Sequence, residues 1–487
     1  MVEVRQTVHV EAIADVTFST WPWQHWAKER PSAVALSFGE QQFSWAELAE
    51  RTDEYAQGLV EQGLKRDQLV AVVAPNSVSV IWLLLAILRA GARYVGLNPR
   101  LSQQELSNQL AQLECDFVWY PAKSGIALDS VQGYEPDSKQ ALPPRLQLLP
   151  PQTPRMVPVT WQASRAATMT MTSGSTGNPK AVVHNAQSHL ASAAGLLQWM
   201  SFDAEDSWLL SLPLFHISGM AIVWRWLYRG AKLVVASSQG LDVALGKVTH
   251  ASLVPTQLQR LLENNRGASL SLKRVLLGGA AIPVSLTECA KQAGIECWCG
   301  YGMTEMASTV TVKPADGSAG VGAVLPNREL TLKDGEVLVK GKTLGMGYYR
   351  NRTIFPFSDQ EWFATKDLAD WQDEELFIRG RKDNMFISGG ENIQPEEVEK
   401  VLLAHPAVQQ AFILPTDDAE YGQRPVAVLT TSCELDKTLV DNLTHYMRQQ
   451  VMGLRRPVCY LPLPDHLATG GIKTSRKQLA LWLVKQQ

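Results

Sequence analysis

Continuous apolar runs that alternate with helical segments are the feature that most restricts the fold of this chain. Residues 68–74 read Gln-Leu-Val-Ala-Val-Val-Ala, and Pro75-Asn76 ends the run. An apolar helical segment follows at 78–90, and residues 91–97 supply a second strand-like run. Strands that are apolar on both faces and alternate with helices are typical of βαβ units in a helix-covered parallel sheet. The sequence therefore predicts an α/β fold.

The same rhythm returns further along the chain and then changes. Short apolar runs recur at 166–171, 209–212, 232–236 and 274–277, after a polar, Pro-rich connection at 137–158. From 320 to 348, short strands with turn signals such as Lys333-Asp334-Gly335-Glu336 predict a small β subdomain.

The last hundred or so residues form a separate block. Pro395 opens a helix that runs to Leu403, with acidic residues in its first turn, and 426–429 is a strand. We therefore expect a large N-terminal domain, residues 1–380, of parallel-sheet α/β subdomains with a small β-barrel subdomain. Residues 381–487 would form a small, mobile α+β C-terminal domain.

Composition and charge exclude several classes of protein. Of the 487 residues, 45% are hydrophobic and 19% charged, so the chain can bury sizeable cores. The formal net charge is -3 without a dense basic tract, which argues against a nucleic-acid partner. The apolar run 80–88 is far shorter than the roughly 20 residues that span a bilayer, and the N-terminus does not resemble a signal peptide. The sequence predicts a cytoplasmic enzyme with scattered core thiols and no membrane span.

The segment from Thr172 to Lys180, Thr-Ser-Gly-Ser-Thr-Gly-Asn-Pro-Lys, is the first strong chemical signal. Its glycines let the backbone approach an anion, its hydroxyls add donors, and Lys180 adds a charge suited to phosphate. The spacing differs from that of a Walker P-loop. Taken alone, such a stretch is more often a plain flexible loop.

Further motifs follow in a fixed order and change that balance. They are Pro213-Leu-Phe-His-Ile-Ser-Gly219, Gly278-Gly-Ala-Ala281, Gly300-Tyr-Gly-Met-Thr-Glu305, Trp362-Phe-Ala-Thr-Lys-Asp-Leu-Ala369, Gly380-Arg-Lys-Asp383 and Gly470-Gly-Ile-Lys473. With them the whole chain resembles the adenylate-forming superfamily of acyl-CoA synthetases, luciferases and peptide-synthetase adenylation domains. The resemblance implies an acid–CoA ligase that uses ATP, Mg²⁺ and coenzyme A.

The resemblance also implies residues that bind the nucleotide. The β- and γ-phosphates would be held by Thr172, Ser173, Gly174, Ser175, Thr176, Gly177 and Lys180. Thr304 would bond the α-phosphate, and Glu305 would hold Mg²⁺, a hard ion that prefers oxygen ligands. Gly279, Ala280 and Tyr301 would bracket the adenine. Asp367 would accept both ribose hydroxyls with the help of Arg381, although alone it reads as a solvated loop acid.

By the same resemblance, the last part of the chain supplies the mobile catalytic groups. Lys473 would reach from the small domain to bridge the substrate carboxylate and the α-phosphate, where an ammonium screens repulsion between two anions. Asp383 would be the hinge for alternation between adenylation and thioester formation. Ser388, Gly389 and Gly390 would then line the pantetheine channel, although the two glycines also fit a simple turn.

Several features are similar to one subgroup, the o-succinylbenzoate–CoA ligases of menaquinone biosynthesis. Lys366 stands where many members have glycine, and Gly345-Met-Gly-Tyr-Tyr, Phe386-Ile-Ser-Gly-Gly-Glu-Asn-Ile393 and the Gly-Gly-Ile-Lys-Thr-Ser-Arg-Lys477 terminus also match. This resemblance implies conversion of o-succinylbenzoate, ATP and CoA to o-succinylbenzoyl-CoA, AMP and pyrophosphate through an acyl-adenylate. The alternatives are a ligase for another aromatic or medium-chain acid and an inactive adenylate-binding module.

Arg225 lies in an apolar helical stretch between Trp224 and Trp226. A cation in such a place is costly unless it is paired. Either it snorkels to the surface, or it binds the second carboxylate of the acid, at the succinyl end. His216 and Ser218 would lie near the acyl group, with His216 as a catalytic pocket residue. The partners expected are thus small molecules, with a homo-oligomer left open.

Overall fold

A computed structural model describes residues 4–5, 17–122, 143–152, 159–172, 179–236, 240–264, 270–278, 282–318, 320–357, 361–373, 375–468 and 475–486. Its helices are α1 (Pro22–Glu29), α2 (Trp45–Glu61), α3 (Val78–Arg89), α4 (Gln103–Leu113), α5 (Ala186–Leu197), α6 (Ile217–Arg229), α7 (Leu241–Leu245), α8 (Pro255–Asn264), α9 (Val284–Gln292), α10 (Pro395–Leu403), α11 (Lys437–Gln450), α12 (Asp465–Ala468) and α13 (Arg476–Val484).

The first seventeen strands are β1 (Val4–Arg5), β2 (Val34–Phe38), β3 (Gln41–Ser44), β4 (Leu69–Val73), β5 (Arg93–Leu97), β6 (Phe117–Trp119), β7 (Ala166–Thr172), β8 (Lys180–Asn185), β9 (Ser207–Leu209), β10 (Lys232–Val235), β11 (His250–Leu253), β12 (Arg274–Leu277), β13 (Glu296–Cys299), β14 (Gly302–Met303), β15 (Ser308–Thr309), β16 (Thr311–Pro314) and β17 (Ala323–Val324). The others are β18 (Arg328–Lys333), β19 (Glu336–Gly341), β20 (Gly347–Arg350), β21 (Thr353–Phe355), β22 (Phe363–Gln372), β23 (Glu375–Arg381), β24 (Phe386–Ser388), β25 (Glu391–Ile393), β26 (Val408–Asp418), β27 (Gly422–Thr431) and β28 (Cys459–Pro462). Short 3-10 turns lie at Thr304–Met306 and Gly453–Arg455.

The apolar runs form the parallel centres of two sheets, as the sequence predicts. One sheet has the order β21-β20-β8-β7-β5-β4-β6, and the other β17-β16-β13-β12-β11-β9-β10-β2-β3. Strands β4, β5, β6 and β7 pair in parallel, whereas β8, β20 and β21 continue the first sheet antiparallel. Helix α3, whose side chains are almost all buried, connects β4 to β5, which confirms the predicted βαβ unit.

A tryptophan-rich core fixes the helix that carries Arg225. The indoles of Trp45 on α2 and Trp226 on α6 stack at 5.3 Å between centroids and 23° between planes. Both are fully buried, so each contributes a large apolar area to the packing between the sheets. No helix in the described ranges has the length and apolarity needed to cross a membrane.

Two smaller sheets follow along the chain. The predicted β subdomain contains an antiparallel sheet of the order β1-β18-β19-β22-β23. After it, β26-β27-β28 form a sheet that packs with α10, α11 and α13 around hydrophobic clusters made of residues from 386 onwards. The division at 380/381 remains a prediction.

Lys366, where the family resemblance leads us to expect glycine, adopts a left-handed backbone conformation. Its φ is 65° within strand β22. The conformation is held by hydrogen bonds on both sides, because Lys366 N donates to Glu336 Oε1 (3.0 Å) and Lys382 N donates to Lys366 O (2.8 Å). The position therefore has a backbone geometry that suits glycine, and this chain accepts lysine there.

We predict that Lys366→Gly changes the free energy of unfolding by less than about 1 kcal/mol. Replacing lysine by glycine removes the strain of a side chain on a left-handed backbone, about 1–2 kcal/mol. This gain is offset by the greater freedom of glycine in the unfolded chain and by the loss of a partly exposed ion pair. Ala364→Gly, in the same strand with ordinary φ, is the control and should lower stability by about 1 kcal/mol. Urea denaturation measures both. An equal loss in the two variants would contradict the strain assigned to Lys366.

Candidate active site

Lys180, Tyr348 and Glu305 come together because β8 pairs with β20. The antiparallel register places Tyr348 opposite Val182, two residues beyond Lys180. Lys180 Nζ lies 4.9 Å from the centroid of the Tyr348 ring, and the Tyr348 hydroxyl donates to Glu305 Oε1 (3.0 Å). Burial and the charge of Glu305 raise the pKa of Tyr348, so the phenol remains a donor. The site thus joins an ammonium and an oriented carboxylate.

The turn that carries Thr304 and Glu305 is tied to its neighbours through the backbone. Ala307 N donates to Thr304 O (3.1 Å), which closes the 3-10 turn, and Gly345 N donates to Glu305 O (2.8 Å). Gly345 belongs to the Gly-Met-Gly-Tyr-Tyr motif, and Met346 N in turn donates to Val183 O (2.8 Å). This motif therefore fixes both the backbone and the side chain of Glu305.

Asp367, the expected ribose ligand, lies at the centre of a second cluster. Its side chain accepts from the Tyr301 hydroxyl at Oδ2 and from Arg381 Nη1 at Oδ1 (3.1 Å). Only 7% of Asp367 is exposed. Burial raises the pKa of its carboxyl, against the effects of Tyr301 and Arg381, while burial and Asp367 raise the pKa of Tyr301. The carboxylate is held rigidly and can still accept hydrogen bonds from hydroxyl groups.

Asp383 extends this cluster towards the C-terminal block. Arg381 Nε donates to Asp383 Oδ1 (3.0 Å), and Lys366 Nζ lies 3.8 Å from Asp383 Oδ2. Partial burial opposes ionisation of Asp383, but Arg381 and Lys366 outweigh it and keep the pKa of the carboxyl below its ordinary value. The residue expected as hinge is thus connected through Arg381 to the residue expected to bind ribose.

Arg225 lies in the interior, which excludes the snorkelling interpretation. Only 2% of the residue is exposed. Its Nη1 donates to Ser252 Oγ (3.3 Å), and its guanidinium carbon is 5.2 Å from the Trp208 ring centroid. Burial lowers the pKa of Arg225 to about 9, and no carboxylate in the described part of the chain pairs with it. A buried guanidinium that remains charged at neutral pH is well suited to an incoming carboxylate.

His216 and Ser218 lie where α6 begins, about two helical turns before Arg225. His216 is the N-cap residue, and its ring lies 4.7 Å from that of Phe215. A Cβ at Gly219 would lie 2.1 Å from Pro213 O, so only glycine allows the first turn of α6 to pack this closely. The motif Pro213–Gly219 therefore fixes how α6 enters the core.

The predicted channel residues form a tight hairpin between β24 and β25. Gly389 and Gly390 have φ of 54° and 84°, values that favour glycine in a two-residue hairpin. Gly389 N donates to Tyr421 O (2.8 Å), and a Cβ at this position would lie 2.5 Å from Leu454 Cδ1. Ser388 is fully buried. The turn interpretation of these glycines is therefore correct, and a channel role is compatible with it.

Part of the expected site lies outside the described residues. The β7–β8 pair brings Thr172 opposite Lys180, so both ends of the Ser/Thr/Gly loop are fixed. The residues expected to form the loop, to bracket the adenine and to act as the catalytic lysine fall outside the described ranges: Ser173, Gly174, Ser175, Thr176, Gly177, Gly279, Ala280 and Lys473.

Sequence reasoning missed three contributors to the site. Tyr348 was visible only as part of a motif, and its partner Glu305 is distant in the sequence. Ser252 and Trp208 lie on the neighbouring strands β11 and β9, and no local motif marks them. A hydroxyl residue between Ala251 and Leu253, in a fully buried strand, is the one signal that could have drawn attention to Ser252.

Glu305 is a suitable ligand for Mg²⁺. Its carboxylate offers oxygen ligands, and the Tyr348 hydroxyl orients it without adding a positive charge. Within the described ranges, no cluster of three or more His, Cys, Asp or Glu side chains could hold a metal ion by itself. Magnesium in nucleotide sites typically takes one or two carboxylates together with phosphates and waters. The residues present fit that mode.

Comparison with known proteins agrees with this geometry. The chain is 46% identical over 478 residues to 2-succinylbenzoate–CoA ligase of Escherichia coli (strain K12), covering 96% of this chain and 100% of that protein. A variant of E. coli MenE with bound OSB-AMS has a TM-score of 0.86 at 44% identity, over 97% of this chain and 100% of the other. Bacillus subtilis MenE in complex with ATP and magnesium ion has a TM-score of 0.78 at 26% identity, over 91% and 96%.

These solved structures confirm the predicted fold class, a large N-terminal α/β domain followed by a small C-terminal domain. The family model described as AMP-binding enzyme matches residues 23–349, and that of the AMP-binding enzyme C-terminal domain matches 397–465. The resemblance drawn from the ordered motifs is confirmed, and the chain belongs to the AMP-binding enzyme family.

Proposed function

We propose that this protein is an AMP-forming 2-succinylbenzoate–CoA ligase of menaquinone biosynthesis. It converts o-succinylbenzoate, ATP and CoA to o-succinylbenzoyl-CoA, AMP and pyrophosphate through an acyl-adenylate. The relative from E. coli carries this name over its whole length, and the B. subtilis relative binds ATP and magnesium. The observation in this chain that carries the proposal is Arg225, a buried cation that lacks an acidic partner among the described residues.

The nucleotide is held in this proposal by the two clusters described above. Asp367 accepts the ribose hydroxyls, and Arg381 and Tyr301 keep its carboxylate in place. Tyr301 also faces the adenine together with Gly279 and Ala280. The phosphates are bound by the segment Thr172–Lys180 and by Thr304. Mg²⁺, held by Glu305, supplies positive charge against the phosphate oxygens during displacement of pyrophosphate.

The acid binds between α6 and the neighbouring strands. An acid with two carboxylates needs a second cation for the group that is not adenylated, and Arg225 provides it in a region of low dielectric constant. Ser252 orients the guanidinium, and Trp208 covers it. His216 and Ser218 lie at the start of α6 and contact the acyl chain. A monocarboxylic acid would offer Arg225 no second carboxylate to bind.

The C-terminal block completes each half-reaction in turn. Lys473 bridges the reacting carboxylate and the α-phosphate during adenylation. Rotation at Asp383 then replaces Lys473 by the hairpin containing Ser388, Gly389 and Gly390, which lines the path of the pantetheine thiol. We place the enzyme in the cytoplasm, where ATP and CoA are dissolved, and a homo-oligomer is compatible with this function.

Lys473→Ala should impair adenylation and spare thioester formation. One preorganised charge is removed from the first transition state, so pyrophosphate release should fall on the order of 10²–10³-fold. Transfer from supplied acyl-adenylate to CoA should remain close to the parent rate. Lys485→Ala makes the same charge change further along the C-terminal segment and is the control. Normal pyrophosphate release by Lys473→Ala would reject the assignment.

Arg225→Ala should raise the KM for o-succinylbenzoate by about 10- to 150-fold, since charge-assisted bonds contribute about 1.5–3 kcal/mol. Two monoacids, 4-oxo-4-phenylbutanoate and 2-butanoylbenzoate, each lack one carboxylate, and whichever is turned over should be little affected. Arg225→Lys should recover part of the loss, because an ammonium cannot form a bidentate pair.

The matched control is Arg229→Ala, one turn further along α6, where the arginine pairs at the surface with Asp203 (2.6 Å). It removes the same charge and should leave the KM for both kinds of acid near that of the parent. The KM for ATP should stay unchanged in all these variants. If Arg225→Ala and Arg229→Ala behave alike towards o-succinylbenzoate, Arg225 does not recognise the acid and the substrate proposal loses its physical support.

A further inference from the structure

The turn that follows Glu305 contains two consecutive non-glycine residues with positive φ. Ala307 has φ 53° and Ser308 has φ 116°. Residues with a side chain rarely adopt these backbone angles. Two such residues in succession persist only where the surrounding structure enforces the conformation. Ala307 N also closes the turn on Thr304 O, so any relaxation of Ala307 would move the backbone of Thr304.

Two buried side chains, those of Ser192 and Arg328, form hydrogen bonds with the backbone of this turn and of the residue after it. Ser192 Oγ, on α5, donates to Ala307 O (2.9 Å). Arg328, the first residue of β18, donates from Nη1 to Thr309 O, from Nε to Pro326 O (3.0 Å) and from Nη2 to Ser192 O (3.4 Å). One guanidinium therefore connects α5, β15 and the loop before β18, and it holds the turn on both sides.

Arg328 is a buried cation whose hydrogen-bond acceptors are backbone carbonyl groups. It is 2% exposed and has no carboxylate partner in the described part of the chain. Burial and the charge of Arg225 lower the pKa of Arg328 to about 9, so it is protonated at neutral pH. Gly195, within α5, makes room for it, because a Cβ there would lie 2.6 Å from Arg328 Nη2.

We propose that Arg328, with Ser192, is a positioning residue that holds the Ala307–Ser308 turn in its strained conformation and so places Thr304 and Glu305 for adenylation. The proposal rests on the proposed function, because it uses the roles of Thr304 at the α-phosphate and Glu305 at Mg²⁺. Arg328 itself does not touch the substrates. Its effect is transmitted through Thr309 O, Ser192 and Ala307 to the turn.

Arg328→Gln is the main test, with kcat measured per folded molecule by pyrophosphate release. Displacement of catalytic groups by about 1 Å can lower a rate on the order of 10²-fold, and we expect a loss of that order. The Mg²⁺ concentration for half-maximal activity should rise as well, because Glu305 moves. A role in folding alone would lower the melting temperature and leave both quantities unchanged. Arg328→Lys should restore part of kcat.

Ala307→Gly provides a rescue that only the strain mechanism predicts. Glycine adopts φ 53° freely, so the turn should need less support, and Ala307→Gly added to Arg328→Gln should recover at least about tenfold of the lost kcat. Asn351→Gly is the matched control, since Asn351 is exposed, has φ 49° and belongs to a different turn, the one between β20 and β21. It should rescue nothing.

The outcomes separate the proposals. An inactive parent enzyme with o-succinylbenzoate would overturn the proposed function. An active parent with unchanged kcat and Mg²⁺ dependence in Arg328→Gln, or equal effects of Ala307→Gly and Asn351→Gly on that variant, would overturn only the role of Arg328.

If Arg328→Gln does not fold, Ser192→Ala replaces it. Removal of that hydroxyl should lower kcat several-fold with rescue by Ala307→Gly, and an unchanged kcat would overturn the proposal.

Discussion

Much of this structure depends on two buried guanidinium groups, Arg225 and Arg328, that have no carboxylate partner among the described residues. An uncompensated charge in a protein interior costs several kcal/mol, so each must be met by other groups. Arg328 donates hydrogen bonds to three backbone carbonyls, which compensate its charge and fix it within the core. Arg225 has a serine hydroxyl and the face of an indole, which compensate a cation less well. The difference explains why the first suits a positioning role and the second suits an anionic ligand.

The nucleotide end of the site has the opposite electrostatic character. Asp367, Arg381, Asp383 and Lys366 alternate in sign along a chain of contacts that runs from the expected ribose ligand to the expected hinge. Each charge is compensated by its neighbour, so the network can exist before the nucleotide binds. Because Arg381 contacts both carboxylates, a change at Asp383 can alter the support of Asp367. The residue expected to bind ribose and the residue expected to be the hinge are thus electrostatically coupled through one arginine.

Local patterns predicted the elements of the fold well. Strand β12 and helix α10 have the bounds that the sequence indicates, because apolar runs and a proline at the first helical turn are local signals. Lys366 was noted in the sequence as a departure from the family pattern, and only the structure shows that the backbone there is left-handed.

The site could be predicted only where a motif carries it. Asp367, Glu305 and Lys180 belong to motifs. The structure places Glu305 and Lys180 beside Tyr348, and Asp367 beside Tyr301 and Arg381. Tyr348 belongs to a motif, but its contact with Glu305 joins residues that are distant in the sequence, as does that of Ser252 with Arg225, and no local pattern predicts either contact. For Arg225 the sequence left two interpretations nearly equal. Burial decides such a question, and burial depends on the packing of α6 against two sheets.

A crystal structure with a non-hydrolysable analogue of the acyl-adenylate of o-succinylbenzoate tests the central claim most directly. The account predicts that the free carboxylate lies within about 2.7–3.2 Å of the Arg225 guanidinium, with the ribose hydroxyls on Asp367. It would be contradicted by a free carboxylate that points to solvent or binds another cation, while Arg225 keeps only its contacts with Ser252 and Trp208.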